Sequence, residues 1–394
     1  MRRIYILIVT IVLSLTANSC QQQREKEFIS LAYVALYQMH FNTIEPEDVA
    51  PYLDQYNWNG ITDIALIRGV YYAGQDGSVV THWNEESWVD PVVGVNYFGK
   101  PYDEAKKRND LCSREVIGAT VDYFRKRGLK IWLAQSAESW MTGGSLGVVC
   151  SDSELTKKYA QNLYNLAKEY NCEGVDLDWE FPPTEREAEG YRELMRELKA
   201  LGTKVSVCAI NPSQGKSYAD TEMAPVKGDP GRYMKWDEII EEGLVDHINV
   251  MQYLGYNPQT KQMDVEIKRE KMAAWESTFP QEFTPEKRVK MLAGVGFYSY
   301  LIPTEENQGK REFLTLPKIY EKYGQEALDQ GVVGGKHAIW TTSDIREIVR
   351  HAKAQGWSGV FTWLVTHDTT VDMPMKYNRQ EALSEEVHAI WAEE

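Results

Sequence analysis

The sequence predicts an α/β protein built as one (β/α)8 barrel with long loops at the strand ends. Three observations lead to it. Short apolar runs bounded by Gly or polar residues recur along the chain, as strands buried on both faces of a parallel sheet do. Helical patterns lie between them. No internal repeat or low-complexity linker divides the chain, and its 394 residues exceed the about 250 of a plain barrel by enough for long loops.

The runs are 29–36, 61–70, 129–135, 174–178, 204–210, 247–253, 290–295 and 359–364. Tyr159, Leu163, Leu166 and Tyr170 recur at helical spacing behind the cap candidates Ser151, Asp152 and Ser153. Tyr191, Leu194, Leu198 and Leu201 do the same ahead of Gly202, a helix stop. Segments 113–128 and 342–356 also end at Gly. Eight strands alternating with helices close a TIM barrel over residues 29–394. The extra length falls near 72–108, which holds many aromatics, and near 297–340. Both insertions begin at strand C-termini, where barrel loops build the active face, so they are expected to wall a cleft. The plainer alternative is surface decoration.

Lys and Arg number 43 against 58 Asp and Glu, a balance of −15. That argues against a nucleic-acid partner, which needs clustered cations. There is no HExxH, no P-loop and no dinucleotide fingerprint, and the 7 His are scattered, so neither metal nor cofactor is expected. The wide spacing of the 5 Cys excludes a zinc ribbon or CxxC redox site. Cys172 and Cys208 border apolar runs and read as buried free thiols. At the N-terminus, Arg2 and Arg3 precede an apolar run over 4–17 and then Ser19-Cys20, the pattern of a secretory signal. The junction resembles a bacterial lipoprotein box. That resemblance implies removal of residues 1–19, lipidation of Cys20, a polar tether over 20–28, and an exported chain. It would be held at the cell envelope, on the outer membrane surface or a periplasmic face, touching the membrane through the lipid only. The alternative is a cleaved signal in which the Cys stands by chance. No later stretch reaches the about 20 apolar residues of a spanning helix.

The most informative segment is Glu173-Gly174-Val175-Asp176-Leu177-Asp178-Trp179-Glu180-Phe181-Pro182. On a strand, residues two apart point the same way. Asp176, Asp178 and Glu180 then share a face aimed at the barrel mouth, and Val175 and Leu177 face the helices. Like charges and partial burial must raise at least one carboxyl pKa, and a carboxylic acid still protonated near neutrality is what a general acid requires. A solvated acidic turn or a calcium loop are the bland alternatives. The apolar flanks speak against both.

This segment resembles the DGxDxDxE signature of glycoside hydrolase family 18, the chitinases and endo-β-N-acetylglucosaminidases. The likeness extends from the first strand to the eighth: Ile61-Thr62-Asp63-Ile64-Ala65 with Asp76-Gly77-Ser78-Val79, Lys130-Ile131-Trp132-Leu133, the run from Asp246 to Tyr253, and Gly359-Val360-Phe361-Thr362-Trp363. The resemblance implies that Glu180 protonates the glycosidic oxygen and that the nucleophile is the substrate's own 2-acetamido oxygen, an exception to the two-carboxylate scheme. Asp178 would orient the acetamido group, Asp176 would hold the protonation state of Asp178, and Tyr253 would hydrogen-bond the acetamido carbonyl. Trp363 would stack under the sugar, with Met251, Gln252 and Trp179 as further substrate-binding candidates. The partner implied is a GlcNAc-containing glycan.

Three positions depart from the pattern. Glu173 replaces the first Asp. Ala134-Gln135-Ser136-Ala137 stands where the family has S-x-G-G, which removes a hydrogen bond to the carboxylates that a nearby Gln or Ser could restore. Leu254 replaces the acid after Tyr253; Gln252 is adjacent but of opposite strand parity, and Asn249 or Asn257 could stand in. Leu254 tilts the expectation toward the chitobiose core of N-glycans over chitin or chito-oligosaccharides. A non-catalytic glycan-binding barrel is the remaining alternative.

Overall fold

The computed structural model describes residues 27–81, 111–136, 144–180, 182, 184–210, 212, 233–304 and 314–394. The signal segment, Cys20, the tether to residue 26, and Trp83, Trp88 and Tyr97 of the first insertion lie outside them.

Eight parallel strands form a closed barrel in chain order. They are β1 (Ile29–Ala35), β2 (Asp63–Ile67), β3 (Lys130–Ser136), β4 (Gly174–Asp178), β5 (Lys204–Ala209), β6 (His247–Val250), β7 (Lys290–Gly296) and β8 (Gly359–Trp363). All eight expected runs are strands of this barrel. Its closure pairs β1 with β8. The larger helices on its outside include α1 (Arg114–Arg125), α2 (Ser153–Glu169), α3 (Glu185–Ala200), α4 (Val265–Thr278), α5 (Thr342–Ala354) and α6 (Arg379–Glu393). Asp152 caps α2 by accepting from the backbone N–H groups of Glu154 and Leu155 at 2.9 and 3.0 Å. Gly202 takes φ +82° where the chain leaves α3.

Strand parity sorts the side chains into two cores. Val175 and Leu177 of β4 pack outward with Tyr159 and Leu163 of α2 and Tyr191, Leu194 and Leu198 of α3. Tyr33, Ala65, Trp132, Ala134, Cys208, Leu292 and Phe361 form a separate core inside the barrel. Trp132 fills the lower end, where its indole N–H donates to Asp63 Oδ1 at 2.8 Å and its ring lies 4.8 Å from that of His247. Gly174 is required beside it. A Cβ at Gly174 would fall 2.4 Å from the Lys204 carbonyl oxygen and 2.7 Å from the Trp132 ring. Gly174→Ala is therefore expected to cost about 1–3 kcal/mol through overpacking. Gly118→Ala, in the interior of α1 with open space around it, should instead be neutral or gain up to about 1 kcal/mol. Urea midpoints of the two variants check the contrast.

The described parts of both insertions hold secondary structure. The first begins with a hairpin of Tyr72–Ala73 against Val79–Val80. Its Asp76-Gly77 turn places Gly77 at φ +76°, and Lys158 Nζ of α2 donates to the Asp76 carbonyl at 2.7 Å. The second carries a three-stranded sheet of Tyr300–Leu301, His337–Ala338 and Val332–Val333 and the helix Leu316–Tyr323, over a core of its own that includes Leu316, Ile319, Leu328 and Val333. Phe28, expected in the tether, is buried in the fold, and its carbonyl accepts from Trp391 Nε1 at 2.9 Å. Among the described residues, Cys112, Cys150, Cys172 and Cys208 are free thiols.

Candidate active site

The C-terminal ends of β4, β5, β6 and β8 converge on the acidic strand. Asp176 is fully buried in the barrel. Its Oδ2 accepts from the Tyr33 hydroxyl at 2.7 Å, and its Oδ1 accepts from the Ser206 hydroxyl and from Asn249 Nδ2 at 3.1 Å. Burial pushes its pKa up to about 6, against the pull of those three donors. Asp178, one pleat nearer the mouth, is held well above the ordinary carboxylate range, first by burial and then by the charges of Glu180 and Asp176. Cys208 and Arg68 act on it in the opposite direction. Asp178 Oδ1 is buried and has no hydrogen-bond partner. Glu180 follows just beyond the strand and is half-buried.

Aromatic rings surround these acids. Trp363, at the end of β8, lies 5.5 Å from the ring of Tyr33 and 6.4 Å from that of Tyr253. The Arg68 guanidinium sits over the Trp363 ring at 5.4 Å. Tyr253 also meets Phe361 at 5.6 Å and Tyr298 at 6.3 Å. Burial, followed by Cys208 and Asp178, keeps its phenol protonated. The backbone around Tyr253 is pinned from outside. Trp340 Nε1 donates to the Tyr253 carbonyl at 2.9 Å, and the buried Lys268 ammonium donates to the carbonyls of Gln252 and, at 2.7 Å, Gly294.

The structure thus brings together Asp176, Asp178, Glu180, Tyr253 and Trp363, with Met251 half-buried between the two cores. Two other candidates are placed differently. Trp179 points outward, buried among the helices with its ring 5.2 Å from that of Tyr191 on α3, because strand neighbours face opposite sides. Gln252 is buried too, with its amide donating to the Ile210 carbonyl at 3.0 Å at the end of β5. Of the residues considered in place of the acid at Leu254, Asn257 is engaged by Asp264 at 2.7 Å and Asn249 lies below, on Asp176. Gln135 faces out to the Tyr159 hydroxyl. Asp368 accepts from the Gln380 N–H in the first turn of α6 at 2.7 Å. Sequence reading missed Tyr33, Ser206, Arg68 and Tyr298. Tyr33 and Ser206 were marked by a polar group at an inward position of an otherwise apolar strand.

A closed parallel barrel with buried and half-buried carboxyl groups at the strand ends, ringed by Tyr and Trp, defines the class of barrel glycoside hydrolases. Residues 119–368 match Glycosyl hydrolases family 18, and the chain belongs to that family. Among solved structures it is similar to a chitinase from Bacteroides thetaiotaomicron, with TM-score 0.59 and 16% identity over 91% of this chain and 96% of that one. It is also similar to a chitinase from Flavobacterium johnsoniae, with TM-score 0.60 and 16% identity over 93% and 96%. Among curated proteins, Chitinase 1 of Aphanocladium album is 24% identical over 193 residues, 48% of this chain and 38% of that protein. Sporulation-specific chitinase 2 of Saccharomyces cerevisiae is 20% identical over 320 residues, 76% and 62% of the two chains. The chain thus spans less than two thirds of the length of these curated relatives.

Proposed function

We propose that this chain is a retaining endo-hydrolase of β-1,4-linked GlcNAc. The observation that carries the reading is the unpartnered Oδ1 of Asp178, with Asp176 and Glu180 on either side of it in the chain and Tyr253 and Trp363 among the rings around these acids. A 2-acetamido sugar lying on Trp363 would offer its N–H to Asp178 Oδ1 and its carbonyl to the Tyr253 hydroxyl. Held that way, the acetamido oxygen attacks the anomeric carbon as Glu180 gives its proton to the departing glycosidic oxygen. The products of this step are a cyclic oxazolinium ion and the leaving sugar. Glu180, now a carboxylate, takes a proton from water as that water opens the ring, and the original anomeric configuration returns.

Two substrates with such a bond compete. Leu254, in place of the family's acid, favours the chitobiose core of N-glycans, and the names of the relatives favour chitin or its oligosaccharides. Incubation with an N-glycoprotein and with chitotetraose, read by product mass, separates them. A glycoprotein keeping one GlcNAc per site is the result expected for the first. Chitobiose release from the tetramer alone selects the second, and no release from either overturns the hydrolase reading.

A further inference from the structure

We propose that Ser206 and Asn249 are positioning residues for this reaction, supplying Asp176 from β5 and β6 with the hydrogen bonds that β3 lacks at Ala134. The proposal deepens the hydrolase reading and rests on it for its kinetic consequence. In the barrel register, Asp176 is paired with Ala134 on one side and with Ser206 on the other. Ala134 has no donor. The Ser206 hydroxyl donates to Asp176 Oδ1, and Asn249 Nδ2 reaches the same oxygen at 3.1 Å, Ser206 Oγ at 3.0 Å and the Tyr33 hydroxyl at 2.9 Å. All four residues are buried.

Packing alone does not ask for this arrangement. Val205 and Val207 show what β5 presents to the outer core, and an apolar side chain would fill the Ser206 position without a polar group to satisfy. Asn249 leaves its own Oδ1 buried and unpartnered, so its amide is oriented for Asp176 and its neighbours. The opposite orientation would set that oxygen against the carboxylate. Donors to a carboxylate stabilise its ionised form. They keep Asp176 able to ionise near neutrality, and its charge in turn holds the proton on Asp178. The other titratable groups around Asp176 are Tyr33 on β1, Tyr71 after β2, Asp178 on its own strand and Cys208 on β5. Burial, as the first cause, raises the pKa of all four, which leaves the two phenols and the thiol neutral at pH 7. The facing residues of β3 and β6, Ala134 and Asn249, do not titrate.

The test moves the donor across the strand. The ionisation of Asp176 is followed by carboxyl carbon NMR, its signal identified by loss in Asp176→Asn. Ser206→Ala is expected to raise the Asp176 midpoint by about one pH unit, the effect of one hydrogen bond to a charged group. It should also shift the kcat–pH profile the same way, with KM little changed. Adding Ala134→Ser to Ser206→Ala restores the donor from the other side and should return both readouts toward wild type. An unshifted midpoint in Ser206→Ala overturns the proposal, and so does failure of Ala134→Ser to bring it back. Should the wild type cleave no GlcNAc substrate, the hydrolase reading falls, while the titration still decides for or against Ser206.

Discussion

Glu180→Gln is expected to lower kcat by about 10²–10⁴-fold, the range of a single positioned general acid, with glycan affinity kept within a few-fold. The substitution preserves shape and removes the transferable proton. It also removes the charge that, after burial, does most to raise the pKa of Asp178. Asp178 should therefore titrate at a lower pH in the variant. Turnover and calorimetric binding, measured with the same oligosaccharide, check both parts. Equal turnover in wild type and variant would show that Glu180 is not the acid. Loss of binding together with turnover would show that it holds the sugar instead. A barrel that binds glycan without cleaving it would give no difference in product between the two proteins.

Asp178→Asn should show opposite signs in activity and stability. Removing a group that meets charge developing in the transition state costs about 10²–10³-fold in kcat. Stability should rise. Burial is the main reason the folded chain holds Asp176 up to about 6 and Asp178 well above its ordinary range. Each acid keeps a proton in the folded chain at a pH where the unfolded chain has released it. The stability they contribute is thus fully present below about pH 4 and lost as pH rises through their folded values. For Asp176 alone, the step from 3.8 to about 6 corresponds to about 3 kcal/mol. The Asn variant never ionises, so it escapes this loss. It should melt above wild type at pH 8, with the gap closing at pH 4. Identical melting temperatures at pH 8, or a gap unchanged at pH 4, would rule this out.

The barrel was legible because its strands are buried on both faces and so read as continuous apolar runs. Boundaries shifted where the chain leaves the ladder but stays apolar: the run 247–253 contains the strand His247–Val250. Parity within one strand placed Asp176 and Asp178 correctly, and the same rule, applied to Trp179, puts it among the helices. Ser206 could not be assigned to Asp176 from the sequence, because that contact depends on the register between β4 and β5, which is set by barrel closure rather than by local pattern. The sheet in the second insertion escaped notice for a different reason. Its strands are two residues long, too short to show a period.

The separation of an outer and an inner core on opposite faces of each strand also bears on how such a chain can diverge. Val175 and Leu177 hold β4 to its helices, while Asp176 takes its hydrogen bonds from Tyr33 and Ser206 on the inner face. Exchange at the inner positions therefore leaves the adhesive side of the strand unaltered. Chemistry and architecture are inherited on alternate residues, so the barrel can lose its reaction and remain a barrel. The acids at its centre even work against its cohesion at neutral pH. Relaxed selection on turnover would then favour their replacement by neutral residues and leave a sturdier, inert sugar-holding shell.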